Sequence, residues 1–174
     1  MNWTEFLKQE IETTYATTAK LMDQVDERNL NWKPAGGSNW MTVGQLLKHL
    51  TNACGAGMKG LVTGDWGLPE GKTMEDLPAE EMFPPAAKLP AVASVDEARS
   101  LLREDKVIAL KMIEEAGEAD LGGKQVTAPW SPGEQFALGW QIFQMVLHLD
   151  RHKSQLFYYL KLQGKPMNTL DLWS

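Results

Sequence analysis

Four segments of this chain combine a helical spacing of apolar residues with a start signal, and this pattern constrains the fold most strongly. In each segment apolar side chains recur every three or four residues, which places them on one face of an α-helix. An asparagine, threonine or serine that can cap the first turn precedes each segment, and glutamate or glutamine follows three residues later. The predicted helices span residues 3–26, 43–63, 95–116 and 132–163.

The links between these helices differ in length and predict how the helices are connected. Residues 27–41 and 118–131 are modest loops, the latter with a possible short strand at 124–127, whereas residues 64–93 are long and contain five prolines. Modest links suit antiparallel neighbours, and long crossovers occur in bundles whose consecutive helices run the same way. The sequence therefore predicts an all-α, up-down-down-up four-helix bundle with a crossover between helices two and three, in a single domain over residues 1–174.

Composition narrows the possible partners. The formal net charge of −6 and pI of about 5.1 disfavour nucleic-acid backbones and anionic membranes. The N-terminus does not resemble a signal peptide, and no apolar run is long enough to cross a bilayer. A single cysteine, Cys54, excludes an internal disulfide and is compatible with a reducing compartment. We expect a cytoplasmic protein with no nucleic-acid or membrane partner.

The three histidines of the chain are candidates for a metal site. His148 and His152 stand four residues apart on predicted helix four and share a face, and His49 lies early in helix two. Antiparallel packing of these helices brings all three to one height, whereas parallel packing separates them by roughly 14–18 Å. Three imidazoles around one point form a ligand set with an open coordination position. The alternative is that they are packed or surface histidines among apolar neighbours.

Other polar residues near the histidines have two interpretations each. Gln155 follows His152 by three residues and either orients its imidazole or is a packed polar side chain. Gln144, one turn before His148, has the same two interpretations. Gln45 is expected to act as a helix cap rather than to contact an imidazole, and Cys54 as a small core residue.

The register of the histidines predicts where a pocket would open. It puts the site near loop 27–41, the end of the crossover (84–93) and the tail 164–174. Trp32, Trp40 and Trp173 lie in or beside these segments and could line a pocket, or could anchor the loops. Trp3 and Trp140 are expected in the core.

Two motifs resemble those of a known family. The first is Thr42-Val-Gly-Gln-Leu-Leu-Lys-His-Leu50; the second is His148-Leu-Asp-Arg-His-Lys-Ser-Gln-Leu156, followed by Gly164-Lys-Pro166. The chain resembles the DinB-like (DinB/YfiT-like) superfamily of four-helix-bundle metalloproteins. Members carry one histidine early in the second helix, then a pair four apart in the fourth. A glutamine three residues after the pair and a Gly-x-Pro sequence after the helix are frequent.

The resemblance implies one divalent metal on His49, His148 and His152. Three imidazoles suit zinc, nickel, iron(II) or copper. Family members are often dimeric, and predicted helix four carries two apolar stripes, which also favours a homodimer. Characterised relatives include thiol-cofactor S-transferases and a maleylpyruvate isomerase, so the resemblance does not imply one reaction.

The leading functional hypothesis is a metal-dependent enzyme acting on a small molecule. Transfer of a low-molecular-weight thiol onto an electrophile comes first, and metal-assisted hydrolysis second. No side chain in the motifs is identified as a catalytic acid or base. The alternative is a non-catalytic stress-related or binding protein with a structural or vestigial metal site.

Overall fold

Helices form most of the structure, a computed structural model that describes residues 2–173. Short 3₁₀ turns lie between the helices, and a two-residue antiparallel ladder pairs β1 (Gln125–Val126) with β2 (Phe136–Ala137). The helices are α1 (Trp3–Met22), α2 (Val43–Leu50), α3 (Gly55–Thr63), α4 (Ala79–Met82), α5 (Val95–Gly123) and α6 (Leu138–Leu162).

Contacts between α1 and the later helices give two of the directions in the bundle. Lys8 pairs with Glu114 at one end of α5 and Asp23 pairs with Arg99 at the other, so α1 and α5 are antiparallel. The ring of Phe6 lies against Phe143, early in α6. Asn29, beyond the end of α1, donates to Gln163 at the end of α6, so α1 and α6 are parallel.

The direction of α2 and α3 completes the topology. Tyr159, late in α6, donates to the carbonyl of Met41, and His148, earlier in α6, contacts the carbonyl of Ala53. The α2–α3 pair is therefore antiparallel to α6 and parallel to α5. The predicted up-down-down-up bundle with its long crossover is confirmed.

The second predicted helix, residues 43–63, is wrong in one respect, because it is two helices separated by a break at 51–54. The start at Thr42 is confirmed as a capping box with Gln45, and Gly64 ends α3 with φ 77°. The apolar spacing continues through the break, so periodicity alone does not reveal it. Its cause lies in another helix.

Asp105 of α5 provides that cause by capping the first turn of α3. Its carboxylate is 4% exposed and accepts the backbone N–H groups of Gly55 and Ala56, both at 3.0 Å, and the hydroxyl of Tyr15 at 2.6 Å. A Cβ on Gly55 would lie 2.2 Å from the carbonyl oxygen of Asp105, so only glycine fits there. A carboxylate at a helix N-terminus satisfies N–H groups that have no partner within the helix.

Gly117 marks the predicted end of the third helix, but the chain resumes a helical path to Gly123. The kink lies at Gly117, with φ 66° and ψ 168°. It directs the Glu118 carboxylate to the start of α1, where it accepts the N–H groups of Trp3 and Thr4 at 3.0 and 2.9 Å. These bonds lower the pKa of Glu118. The helix interruption predicted at Gly117 is therefore confirmed, and a short further helical segment, which the sequence did not predict, continues from there to Gly123.

The fourth helix begins at Leu138, so the predicted start at Pro132 is wrong. Phe136 and Ala137 pair with Val126 and Gln125 instead, and this confirms the short strand expected within 124–127. The Leu138 N–H also bonds to the carbonyl of Lys124. The sequence 131–134 resembles a helix start but forms turns, because the chain first returns to the β1 segment.

The two apolar stripes of the fourth helix have different environments. Leu138, Ile142 and Leu149 are fully buried in the core. On the other stripe Trp140 is 45% exposed, so its expected core position is wrong. The predicted homodimer stays a prediction. No helix within residues 2–173 has the length and apolar character needed to span a membrane.

Candidate metal centre

The three histidines meet between α2 and α6. The Nε2 atoms of His49 and His148 lie 3.2 Å apart, and one nitrogen of each histidine lies within 4.8 Å of the other two. Leu46, Leu47 and Leu50 of α2 are fully buried, so the core holds the backbone of His49 against α6. The antiparallel register that a shared site requires is therefore present.

His148 is oriented by the break between α2 and α3. Its Nδ1 lies 3.1 Å from the carbonyl oxygen of Ala53. A carbonyl only accepts, so Nδ1 carries the proton and the lone pair is on Nε2, which faces His49. In an uninterrupted helix this carbonyl would bond to the amide four residues later. The break leaves it available to the imidazole.

A series of three hydrogen bonds orients His152. Its Nδ1 lies 3.0 Å from Oε1 of Gln155, whose Nε2 donates to the hydroxyl of Tyr159 at 3.2 Å. Tyr159 then donates to the carbonyl of Met41 at 3.0 Å. The Nδ1 proton on His152 leaves its Nε2 as the lone-pair nitrogen. The interpretation of Gln155 as a partner of an imidazole is confirmed.

This donor set fits a metal ion. Nitrogens that share a tetrahedral zinc at about 2.0–2.1 Å lie about 3.3 Å apart, close to the separation of His49 and His148. Metal-binding histidines commonly donate their other ring N–H to a carbonyl or side-chain oxygen, as His148 and His152 do. His49, His148 and His152 therefore form a group that could hold one metal ion.

The protonation state of the cluster also suits metal binding. Burial, with the nearby His152 and His148 next in importance, lowers the pKa of His49 to about 4. Burial also lowers the pKa of His148 and of His152. All three are neutral at pH 7, and a metal binds imidazole in its neutral form.

The remaining polar residues of the motifs have structural partners. Gln45 completes the capping box and donates to the carbonyls of Ala86 and Leu89, so its predicted capping role is confirmed. Cys54 is buried in the core as expected, and burial raises the pKa of its thiol. Asp150 pairs with Lys153 at 2.7 Å.

A cavity of about 440 Å³ reaches the cluster at His148. It is lined by Phe83 and by residues of the link before α6, together with the face of α6 that carries Gln141, Gln144 and His148. The predicted placement of the pocket near loop 27–41 and the C-terminal tail is therefore wrong for this cavity. A larger cavity of about 730 Å³ lies along α3 and the 124–132 segment, but no histidine lines it.

The aromatic lining differs accordingly from the one predicted. Trp130 and Trp140 line the cavity, whereas Trp32, Trp40 and Trp173 do not. Trp32 and Trp40 lie edge-on to the ring of Tyr159, at centroid distances of 5.4 and 6.2 Å. The alternative interpretation of these two residues, as anchors of the loop, is confirmed.

Comparison with protein families agrees with the geometry. A family model described as the DinB superfamily matches residues 10–156, which include the histidine cluster and Gln155. The chain belongs to the DinB superfamily. The DinB match runs from within α1 to within α6, so it covers the helices that carry the three histidines. A comparison with curated proteins finds none that matches this chain.

Sequence reasoning missed Asp105 and Gln141, although the pattern contains a signal for both. Asp105 is the polar position in a buried series on α5 (Ala98, Leu102, Asp105, Ala109, Met112), and Gln141 lies between buried Leu138 and Met145 on α6. A polar residue on an apolar face requires a buried partner. Asp105 has one in the first turn of α3.

Proposed function

We propose that this protein is a metal-dependent enzyme that acts on a small molecule, with one divalent transition metal held by His49, His148 and His152. The observation that carries the proposal is a neutral, oriented three-histidine cluster beside a cavity. A metal held by three imidazoles keeps a position for an exchangeable ligand, acts as a Lewis acid and lowers the pKa of a bound water or thiol.

The residues of the chain supply orientation and a sheltered volume. Ala53 and Gln155 fix the ring planes of His148 and His152, so little reorganisation is needed on binding. The cavity is large enough for a small organic molecule. Its titratable lining residues include Glu134 and Arg151 besides His148.

Transfer of a low-molecular-weight thiol to a small electrophile is the leading reaction, and metal-assisted hydrolysis is second. The test uses zinc-loaded protein with monobromobimane and cysteine, glutathione or coenzyme A, and p-nitrophenyl acetate for hydrolysis. Saturable turnover that is lost in chelator-treated protein and in His148→Ala would support the enzyme. Equal rates in the loaded, chelated and variant proteins for every pair would contradict it.

The two hypotheses differ in what metal removal does to folding, because a structural metal would be needed to keep the protein folded. The helices that carry the histidines are held by buried leucines and by Asp105, neither of which needs a metal. Chelator-treated protein should therefore stay folded and melt cooperatively. Complete unfolding on metal removal would favour the non-catalytic alternative with a structural site.

Location and assembly belong to the same proposal. We place the protein in the cytoplasm, since its only thiol, Cys54, is free and buried. We propose a homodimer on the basis of the exposed apolar side chains near the end of α6, including Tyr158 and Leu162. Light scattering at micromolar concentration tests this directly, and a monomer mass would contradict it.

A further inference from the structure

The cavity beside His148 contains a buried polar group without a partner. Gln141 is 3% exposed, its side chain makes no hydrogen bond within residues 2–173, and its amide atoms keep their small remaining accessible surface in the cavity lining. A buried amide without partners is costly, and nearly all such groups in native proteins are satisfied. Its position in the cavity lining indicates that its partner is a ligand.

Polar side chains form a row along the wall of the cavity that α6 provides. Gln141, Gln144, His148 and Arg151 are spaced by three or four residues and therefore share one face of the helix. Arg151, one turn beyond His148, makes no ion pair or hydrogen bond in the described part of the chain. At 1.5 Å per residue, Gln141 and His148 are about 10 Å apart along the axis.

The rest of the lining suits a flat apolar body. Aromatic rings prefer edge-on or offset contacts with other rings, and a planar ligand satisfies both. Four aromatic side chains line the cavity, and each is more than a third exposed. Such exposure is unusual for large apolar residues that lie together. The aromatic lining residues are Phe83, Trp130, Phe136 and Trp140.

We propose that this cavity binds a small aromatic acid that carries a hydrogen-bonding group on its ring. The anionic group lies at the His148 end beside the Arg151 guanidinium, the ring lies among the aromatic side chains, and the ring substituent bonds to the Gln141 amide. The inference rests on the proposed function for the assignment of the His148 end, but the ring and Gln141 contacts do not involve the metal.

The test compares 3-(4-hydroxyphenyl)propanoate with 3-phenylpropanoate, which lacks only the hydroxyl group. Binding to chelator-treated and to zinc-loaded protein is measured by calorimetry and by quenching of tryptophan fluorescence. We expect the hydroxylated acid to bind about 3- to 10-fold more tightly, the range for one hydrogen bond. Gln141→Leu should abolish that preference, and Arg151→Gln should weaken both acids by similar factors.

A matched control and the metal-free protein separate the possible failures. Gln9→Leu makes the same change on the exposed side of α1 and should keep the preference. Equal affinities in the wild-type protein, a preference that persists in Gln141→Leu, or a dimer that buries Trp140 and excludes both acids would overturn the inference. If the histidines bind no metal but chelator-treated protein still binds the hydroxylated acid more tightly, the proposed function is contradicted. The proposed binding of an aromatic acid in the cavity is then still supported.

Discussion

The Nδ1 atom of His148 lies 3.1 Å from the carbonyl oxygen of Ala53, in the break between α2 and α3. The break between α2 and α3 is therefore part of the fold and also orients a histidine of the candidate site. Asp105 caps α3 immediately after it, and the carbonyl that the break leaves free orients an imidazole. Gly55 makes this arrangement sterically possible, because no other side chain fits against Asp105.

Asp105→Ala should lower the free energy of unfolding by about 3 kcal/mol. It leaves two backbone N–H groups and the hydroxyl of Tyr15 buried without their acceptor. Urea unfolding followed by circular dichroism measures the change. Glu104→Ala alters the adjacent, exposed carboxylate and should stay within about 0.5 kcal/mol of the wild type. Equal effects of the two substitutions would show that the cap is not stabilising.

Gln155→Leu should weaken metal binding by about 10- to 100-fold, because His152 loses the oxygen that fixes its ring. Tyr159→Phe removes only the hydroxyl that accepts from Gln155, so it should weaken metal binding by a smaller factor. Competition with a chromophoric zinc chelator measures both. Tyr158→Phe changes the neighbouring, exposed tyrosine and should leave affinity unchanged. Unaltered metal affinity in Gln155→Leu would contradict the proposed role of the hydrogen bonds from His152 through Gln155 to Tyr159.

The stability of the metal-free protein should fall as the pH drops from 7 towards 5. The pKa of His49 is about 4 in the folded protein, below its ordinary value of 6.5, so this ring is neutral when folded and protonated when unfolded between those values. The unfolded state then binds more protons, and stability rises with pH across this window. Urea midpoints at pH 7 and pH 5 test this against His49→Gln, which should show a shallower dependence. An equally steep dependence in the variant would contradict the assignment.

Gln141→Leu should stabilise the ligand-free protein by up to about 1 kcal/mol, because it replaces a nearly buried amide, which reaches only the cavity and has no hydrogen-bond partner within residues 2–173, by an apolar side chain of similar size. A rise in the urea midpoint is expected. A clear loss of stability would mean that the amide already has a partner within the protein.

The sequence predicted the parts of the fold that depend on local chemistry. The caps at Asn2, Thr42 and Ser94 form as expected, and the long crossover correctly indicated parallel second and third helices. The helix break and the late start of α6 were not predictable from periodicity. The first depends on Asp105, about 50 residues later in the chain, and the second on pairing with β1.

The candidate site was predicted in its residues but not in its surroundings. Histidine spacing and helix direction placed His49, His148 and His152 together, because both depend on regular helical geometry. The adjoining cavity depends on the path of the link before α6, which no periodic pattern describes. For that reason Trp130 was missed, and the sequence left open whether Trp32 and Trp40 line a pocket or, as the structure shows, anchor their loop.

Metal content is the most direct test of the central claim. Protein purified without a metal-affinity resin is analysed by inductively coupled plasma mass spectrometry, alongside His49→Ala, His148→Ala and His152→Ala variants whose folding is checked by circular dichroism. We predict about one divalent transition metal per wild-type chain after zinc loading and removal of free metal, and far less in each folded variant, since two imidazoles bind a metal much more weakly than three. Unchanged metal content in the folded variants, or none in the loaded wild type, would contradict the account.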